Sequence, residues 1–326
     1  MAKLRVGLCA LAAVLVIAGC STRLDGTATR AASDEPDLSA GAFGDRDDGL
    51  VDPCGLTGPA AFEKFGTARM PGVPSMDECR VTVATDEGRT IVRLGTQQST
   101  ATLPSGRSHI ADPGRGASIE RLGNTCDMAL VLADGLAITA TAEPAGDIVP
   151  SDAVLCGLTE GAVRGVFDVL VGDRAKQWTP EPDSFATVPA CDVLSGDQVA
   201  QQLGITSEQV TRYPAGHQCR WGRAGGDTAT AKLDFPVAES LDELGVPAGT
   251  PAETIAGRES WVVEAGSADI AVCTAYTKHI AFSLGVGTYE HAALRVAIPV
   301  NAGKDVCAVA RTLAGAGWPN LPAAGR

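Results

Sequence analysis

Asp52-Pro53-Cys54-Gly55-Leu56-Thr57-Gly58-Pro59 is echoed far downstream by Pro189-Ala190-Cys191-Asp192-Val193-Leu194-Ser195-Gly196, and each stretch runs into an amphipathic segment ending at Gly66 or Gly204. Both read as a short helix. Ser195 and Gln198 have capping-box spacing, Pro59 suits a first helical turn, and the two glycines supply stops. Outward from these openings the likeness continues through eight cysteines, Cys54, Cys79, Cys126 and Cys156, then Cys191, Cys219, Cys273 and Cys307. Their gaps are 25, 47 and 30 in the first set and 28, 54 and 34 in the second. One module is therefore written twice.

Within each copy the pattern changes from helical to alternating. Cys79-Arg80-Val81 and Cys219-Arg220-Trp221 open segments such as Arg89 to Leu94 and Thr228 to Phe235 that read as half-buried strands in hairpins. Cys126 leads into Met128 to Leu132, and an Asp134-Gly135 turn joins that run to Leu136 to Thr139. Its counterpart is Ala271 to Tyr276, followed by a second strand expected over His279 to Val286. Cys156 and Cys307 introduce apolar residues at helical spacing, Leu158, Val163, Val166, Phe167 and Leu170 in one copy and Val306, Val309, Ala310 and Leu313 in the other. The expected class is α+β: two tandem two-layer domains, each running helix, antiparallel sheet, helix, with two disulfides apiece. The outer sheet face is left for solvent or a partner.

The expected organisation is a signal peptide over 1–19, a lipidated flexible tether over 20–49, the first domain over 50–176, a Pro-rich acidic linker over 177–188 and the second domain over 189–326. Lys3 and Arg5 precede an apolar run from Val6 to Ala18, too short for a spanning helix. The run ends in Ile17-Ala18-Gly19-Cys20, the order that lipoprotein signal peptidases recognise, so a diacylglyceryl thioether is expected on Cys20. Several acyl chains hold a protein on a membrane far more firmly than one. Ser21 to Asp48 has little apolar periodicity and reads as a solvated tether spanning roughly 30 Å.

Cleavage removes two cations, so the formal charge of −13 becomes −15. That balance argues against nucleic acid and against electrostatic binding to anionic lipid. In an exported, oxidising compartment the cysteines read as disulfides, since no Cys-x-x-Cys pair suggests a thiolate metal site. Three pairings per domain are possible when both copies share a scheme, and first with second plus third with fourth is favoured. Each bridge then contributes about 3 kcal/mol in the chain-entropy model.

These residues resemble the uncharacterised cell-envelope lipoproteins of actinobacteria, whose domains open with Asp-Pro-Cys, a Leu and a Ser or Thr cap. Asp52-Pro53-Cys54-Gly55-Leu56-Thr57 fits that opening, and Cys219-Arg220-Trp221 fits a Cys-x-Trp on an early strand. Copy one departs at Val81, and copy two lacks Asp-Pro before Cys191. The resemblance implies a membrane-anchored protein facing the outside of the cell and a compact α+β domain, and it carries no catalytic residues.

The usual catalytic spacings are absent from the sequence. His109, His217, His279 and His291 are widely separated and read as surface or turn residues, although His279 and His291 can meet across neighbouring strands. Gly285-Val286-Gly287 reads as a strand end, and Asp45, Asp47 and Asp48 as a solvated charge cluster. No cofactor or metal is expected. The repeated polar feature is Arg80 and Arg220, each directly after a strand cysteine and so turned to the opposite face, where a guanidinium can receive a carboxylate or phosphate. Trp221, with Trp261 and Trp318, is a candidate for lining a pocket, against the commoner fate of core packing. The favoured expectation is a non-catalytic lipoprotein that binds a small ligand, a wall component or an envelope protein. The alternatives are a hydrolase, which needs a nucleophile such as Ser283 beside His279, and a purely structural scaffold module.

Overall fold

The two halves fold on the same plan. In a computed structural model that describes residues 35–44, 50–223 and 228–323, the first half forms β1 (Thr67–Ser75), β2 (Glu78–Thr85), β3 (Gly88–Ser99), β4 (Ser108–Gly114), β5 (Ala117–Arg121), β6 (Met128–Val131), β7 (Leu136–Pro144) and α1 (Asp152–Val171). The second half forms α2 (Ala190–Val193), α3 (Gly196–Leu203), β8 (Val210–Arg212), β9 (Gln218–Trp221), β10 (Thr230–Asp234), β11 (Val237–Ala238), β12 (Glu253–Ile255), β13 (Arg258–Gly266), β14 (Ile270–Ala281), β15 (Tyr289–Pro299) and α4 (Val306–Gly317). The signal peptide, Cys20 and the Asp45, Asp47 and Asp48 cluster lie outside the described residues.

Strand order in the first sheet is β1-β2-β3-β7-β6-β5-β4, and in the second β8-β9-β10-β15-β14-β13-β12, with β11 added on β15. Every pairing is antiparallel. Each sheet is thus a three-stranded and a four-stranded meander joined side by side. Alternation then sends Cys79, Val81 and Val83 inward against Leu158, Val163 and Val166 of α1. In the second half Cys219, Leu233 and Val296 meet Val309, Ala310 and Leu313 of α4.

The disulfides are Cys54–Cys79, Cys126–Cys156, Cys191–Cys219 and Cys273–Cys307. Each ties a helical segment to the sheet or its entry, and none joins the two halves. The Ser195–Gln198 capping box forms, and Gly204 ends α3 in the left-handed conformation. The first copy differs from expectation at this point. Its opening is two 3-10 turns, Pro53–Leu56 and Pro59–Phe62, because Gly58 stands at the start of the second turn and offers no side chain to cap it. Gly157, Gly161 and Gly165 let α1 lie directly on these turns. A Cβ at those three positions would come within 2.6 Å of Phe65, 2.8 Å of Ala61 and 2.4 Å of Thr57 respectively.

Three further expectations are corrected. His279 belongs to β14, which continues to Ala281, and Gly285-Val286-Gly287 lies in the hairpin turn before β15 with Val286 fully exposed. The segment 177–188 is no free linker: Trp178 packs edge-on to Phe282, and Phe185 stacks on Phe235 and His279. The end of the expected tether is likewise folded, with Leu38 and Phe43 buried in the first core. Burying these few apolar side chains offsets the ordering of an otherwise polar segment.

The described residues fall within one compact unit, Glu35–Arg326, because the β1–β2 hairpin tip enters the second half. Met76 joins the second core, its amide donates to Phe235 O, and Ser75 bridges Pro236. Beside it Asp77, 4% exposed, contacts His217, 2% exposed, at 2.6 Å from Oδ1 to Nδ1, and Gln218 donates to Asp77 Oδ2 at 2.9 Å. His217 Nε2 faces Ala186 O, an obligate acceptor, at 3.0 Å. Nε2 therefore donates there, and Nδ1 and Asp77 hold one further proton between them. Removing one partner of such a buried pair costs about 3–5 kcal/mol. Asp77→Ala should lower the unfolding free energy by that amount in urea titrations, and a loss below about 1 kcal/mol would contradict the interlock.

Candidate functional site

Where the hairpin docks, the outward face of the first sheet borders a cleft. Gly72 pairs with Arg80 and sits between two register shifts in β1. It lacks a side chain, and the space into which one would project is open. Arg80 pairs in turn with Arg93 of β3. The cavity there is about 370 Å³, lined by Pro71, Gly72, Arg80 and Arg93 from the first half and by Glu243 and Leu244 from the second. A neighbouring depression of about 520 Å³ shares Pro71 and continues along the same face past Arg69, Thr82 and Arg89.

The two central cations are in different states. Arg93 donates to Glu78 at 3.0 Å and to Glu143 at 3.0 Å. Burial weakens its charge, but the two carboxylates outweigh that and raise its pKa. Burial also pushes the Glu78 carboxyl up against the pull of Arg93. Arg80 Nε, by contrast, is buried with no hydrogen-bond partner among the described residues. Like charges placed directly opposite on antiparallel strands are unfavourable; Glu78 and Glu143 are engaged by Arg93, while Glu239 and Glu243 also line the cavity.

Arg220 occupies the position in β9 that Arg80 occupies in β2. It donates to Thr211 at 3.3 Å, and its Nε is also unpartnered among the described residues. Trp221 is 1% exposed in the second core and does not line the cleft, because strand alternation turns it to the same side as Cys219. Trp318 is buried too and donates to Ser260.

The histidines do not assemble. His109 is exposed near Asp112, whereas the other three are buried, contrary to the surface reading. Partners explain each burial: His217 has Asp77 and Ala186 O, His279 has Asp183 O at 2.6 Å and the Phe185 ring, and His291 has Tyr289 O at 3.0 Å. His279 Nε2 donates to a carbonyl, and its Nδ1 has no partner among the described residues, so Ser283 is not hydrogen-bonded to the ring. In register His291 stands opposite Lys278, not His279. No group of three metal-ligating side chains occurs among the described residues.

The buried surroundings of Glu290, His279 and His291 were not legible in the sequence. Glu290 accepts from Ser184 Oγ at 2.6 Å and from the Phe185 amide at 2.8 Å, and burial raises its pKa against those bonds. Burial holds His291 down at about 4 and also lowers His279. Comparisons with protein-family models, with curated proteins and with solved structures find no match.

The histidine shift fixes the sign of a pH effect. The unfolded chain takes up a proton on His291 near pH 6.5, and the fold refuses it until about pH 4. Stability from this group is complete above the upper value and lost as pH falls through the window, up to about 3 kcal/mol. The raised Glu290 works in the opposite direction, so the clean measurement is a difference. Between pH 7 and pH 4.5 the melting temperature of His291→Asn should fall less than that of the wild type. Parallel profiles would contradict the assignment.

Proposed function

We propose that this chain is a lipid-anchored, non-catalytic protein of the bacterial cell envelope that binds a small ligand through a carboxylate or phosphate group in the cleft beside Arg80. The observation that carries the reading is Arg80, whose Nε is buried with no hydrogen-bond partner among the described residues, at the wall of the cavity and beside a second arginine already neutralised by Glu78 and Glu143. A guanidinium in that state gains two charge-assisted hydrogen bonds when a planar anion arrives. The anchor reading rests on Cys20 and its flanking sequence. A non-catalytic role is favoured over a hydrolase because no serine is hydrogen-bonded to the His279 ring among the described residues.

Thermal-shift measurements against a panel of carboxylates and phosphates at fixed ionic strength test the cleft. At least one compound should stabilise the wild type, with binding about tenfold weaker or more in Arg80→Ala, the range for a charged hydrogen bond. Equal stabilisation of the variant would remove Arg80 from the site. In the same strain Cys20→Ala should shift the protein from the membrane to the soluble fraction, and continued membrane retention would contradict the lipid anchor.

A further inference from the structure

Five strands of the second sheet contribute one residue each to a single row: Thr211 of β8, Arg220 of β9, Lys232 of β10, Arg295 of β15 and Thr274 of β14 are direct partners in register. Their sequence neighbours Cys219, Leu233, Val296 and Cys273 face the core, so the row lies on the outward face. Three cations therefore stand side by side on adjacent strands, about 4.8 Å apart. Such an arrangement opposes sheet formation. It does not follow from an excess of basic residues, since the chain has 26 Lys and Arg against 39 Asp and Glu.

Compensation is uneven. Lys232 reaches Asp234 at 3.4 Å and also feels the charges of Asp77 and Glu78 from the docked hairpin. Arg220 has its bond to Thr211, an unpartnered Nε and no ion pair, and Arg295 is exposed without an ion pair among the described residues. Along the next row, about 7 Å up the strands, lie Trp261, Tyr276, Ala293, Asp234 and Gln218. Asp234 is the one acid there. Of the four tryptophans, Trp178, Trp221 and Trp318 are buried and Trp261 is half-exposed. The Tyr276 hydroxyl donates to Leu244 O at 2.9 Å, which brings the loop after β11 to the border of this aromatic pair.

We propose that the outward face of the second sheet is a separate binding site for a sugar phosphate, with the phosphate held by Arg220, Lys232 and Arg295 and the sugar ring lying against Trp261 and Tyr276. A phosphate supplies the counter-charge that Arg220 and Arg295 lack among the described residues and accepts several guanidinium and ammonium hydrogen bonds at once. The apolar C–H face of a sugar ring matches an aromatic surface, and Tyr276 stands diagonally across from Arg295 on the neighbouring strand. The first copy keeps the equivalent cations Arg80 and Arg93 but carries Glu120 and Ala129, paired in register, where the second has Trp261 and Tyr276. The ring platform belongs to the second copy alone.

Trp261 makes the test direct. Tryptophan fluorescence of the full-length chain in non-ionic detergent is titrated with glucose 6-phosphate, inorganic phosphate and glucose. Saturable quenching by glucose 6-phosphate is expected, with competition by inorganic phosphate and no response to glucose. Arg295→Gln should weaken binding at least tenfold, Trp261→Phe should remove the signal, and Arg164→Gln on the exposed side of α1, outside both sites, should leave the titration unchanged. If circular dichroism shows Arg295→Gln unfolded, Arg220→Gln takes its place. Absence of saturable quenching, unchanged affinity in the arginine variant, or a quench that survives Trp261→Phe would overturn the proposal.

Discussion

Asp77 reaches out of the first module on the tip of a two-stranded hairpin and meets His217 and Gln218 of the second in a space closed to water. A carboxylate buried there is tolerable only with partners in place, and those partners stand at the start of β9, 140 and 141 residues away. Met76 adds an apolar anchor in the second core. Because this tip is fixed, the outward face of the first sheet is held against the loop that follows β11, and the cleft beside Arg80 exists. Two modules joined by a loose linker would have no such cleft.

The shared strand order gives each module the same two faces. Toward the helices, the disulfides and branched apolar residues do the same work in both copies. Away from them, the copies have diverged around a common pair of cations: the first surrounds Arg93 with carboxylates and leaves Arg80 without an ion pair among the described residues, while the second extends the pair into a row of three and adds aromatic residues. A duplicated scaffold with one inner face held constant is free to develop two different outer faces. That is the physical content of the repeat here.

Cysteine spacing, strand alternation and the Ser195 capping box made the repeat, the α+β class and the disulfide scheme legible in advance, since each is a local or periodic signal. The junction was not legible. Asp77, His217, Ser184 and Glu290 are polar residues in turns or at strand ends, and nothing local distinguishes them from solvated neighbours. The segment 177–188 was misread because its prolines and acids outweighed Trp178 and Phe185, two aromatic residues in a chain with few. Glycines at intervals of four in α1 were a readable signal of close packing that apolar periodicity alone passed over. Arg80 and Arg220 were correctly placed on the outer face by alternation, and the same rule, applied one residue further, would have sent Trp221 to the core.

Calorimetry of the intact, oxidised chain addresses the interlock most directly. One heat-absorption peak with calorimetric and van 't Hoff enthalpies in agreement is expected if the hairpin tip makes the two modules a single cooperative body. Two separable peaks, each assignable to one module, would contradict it.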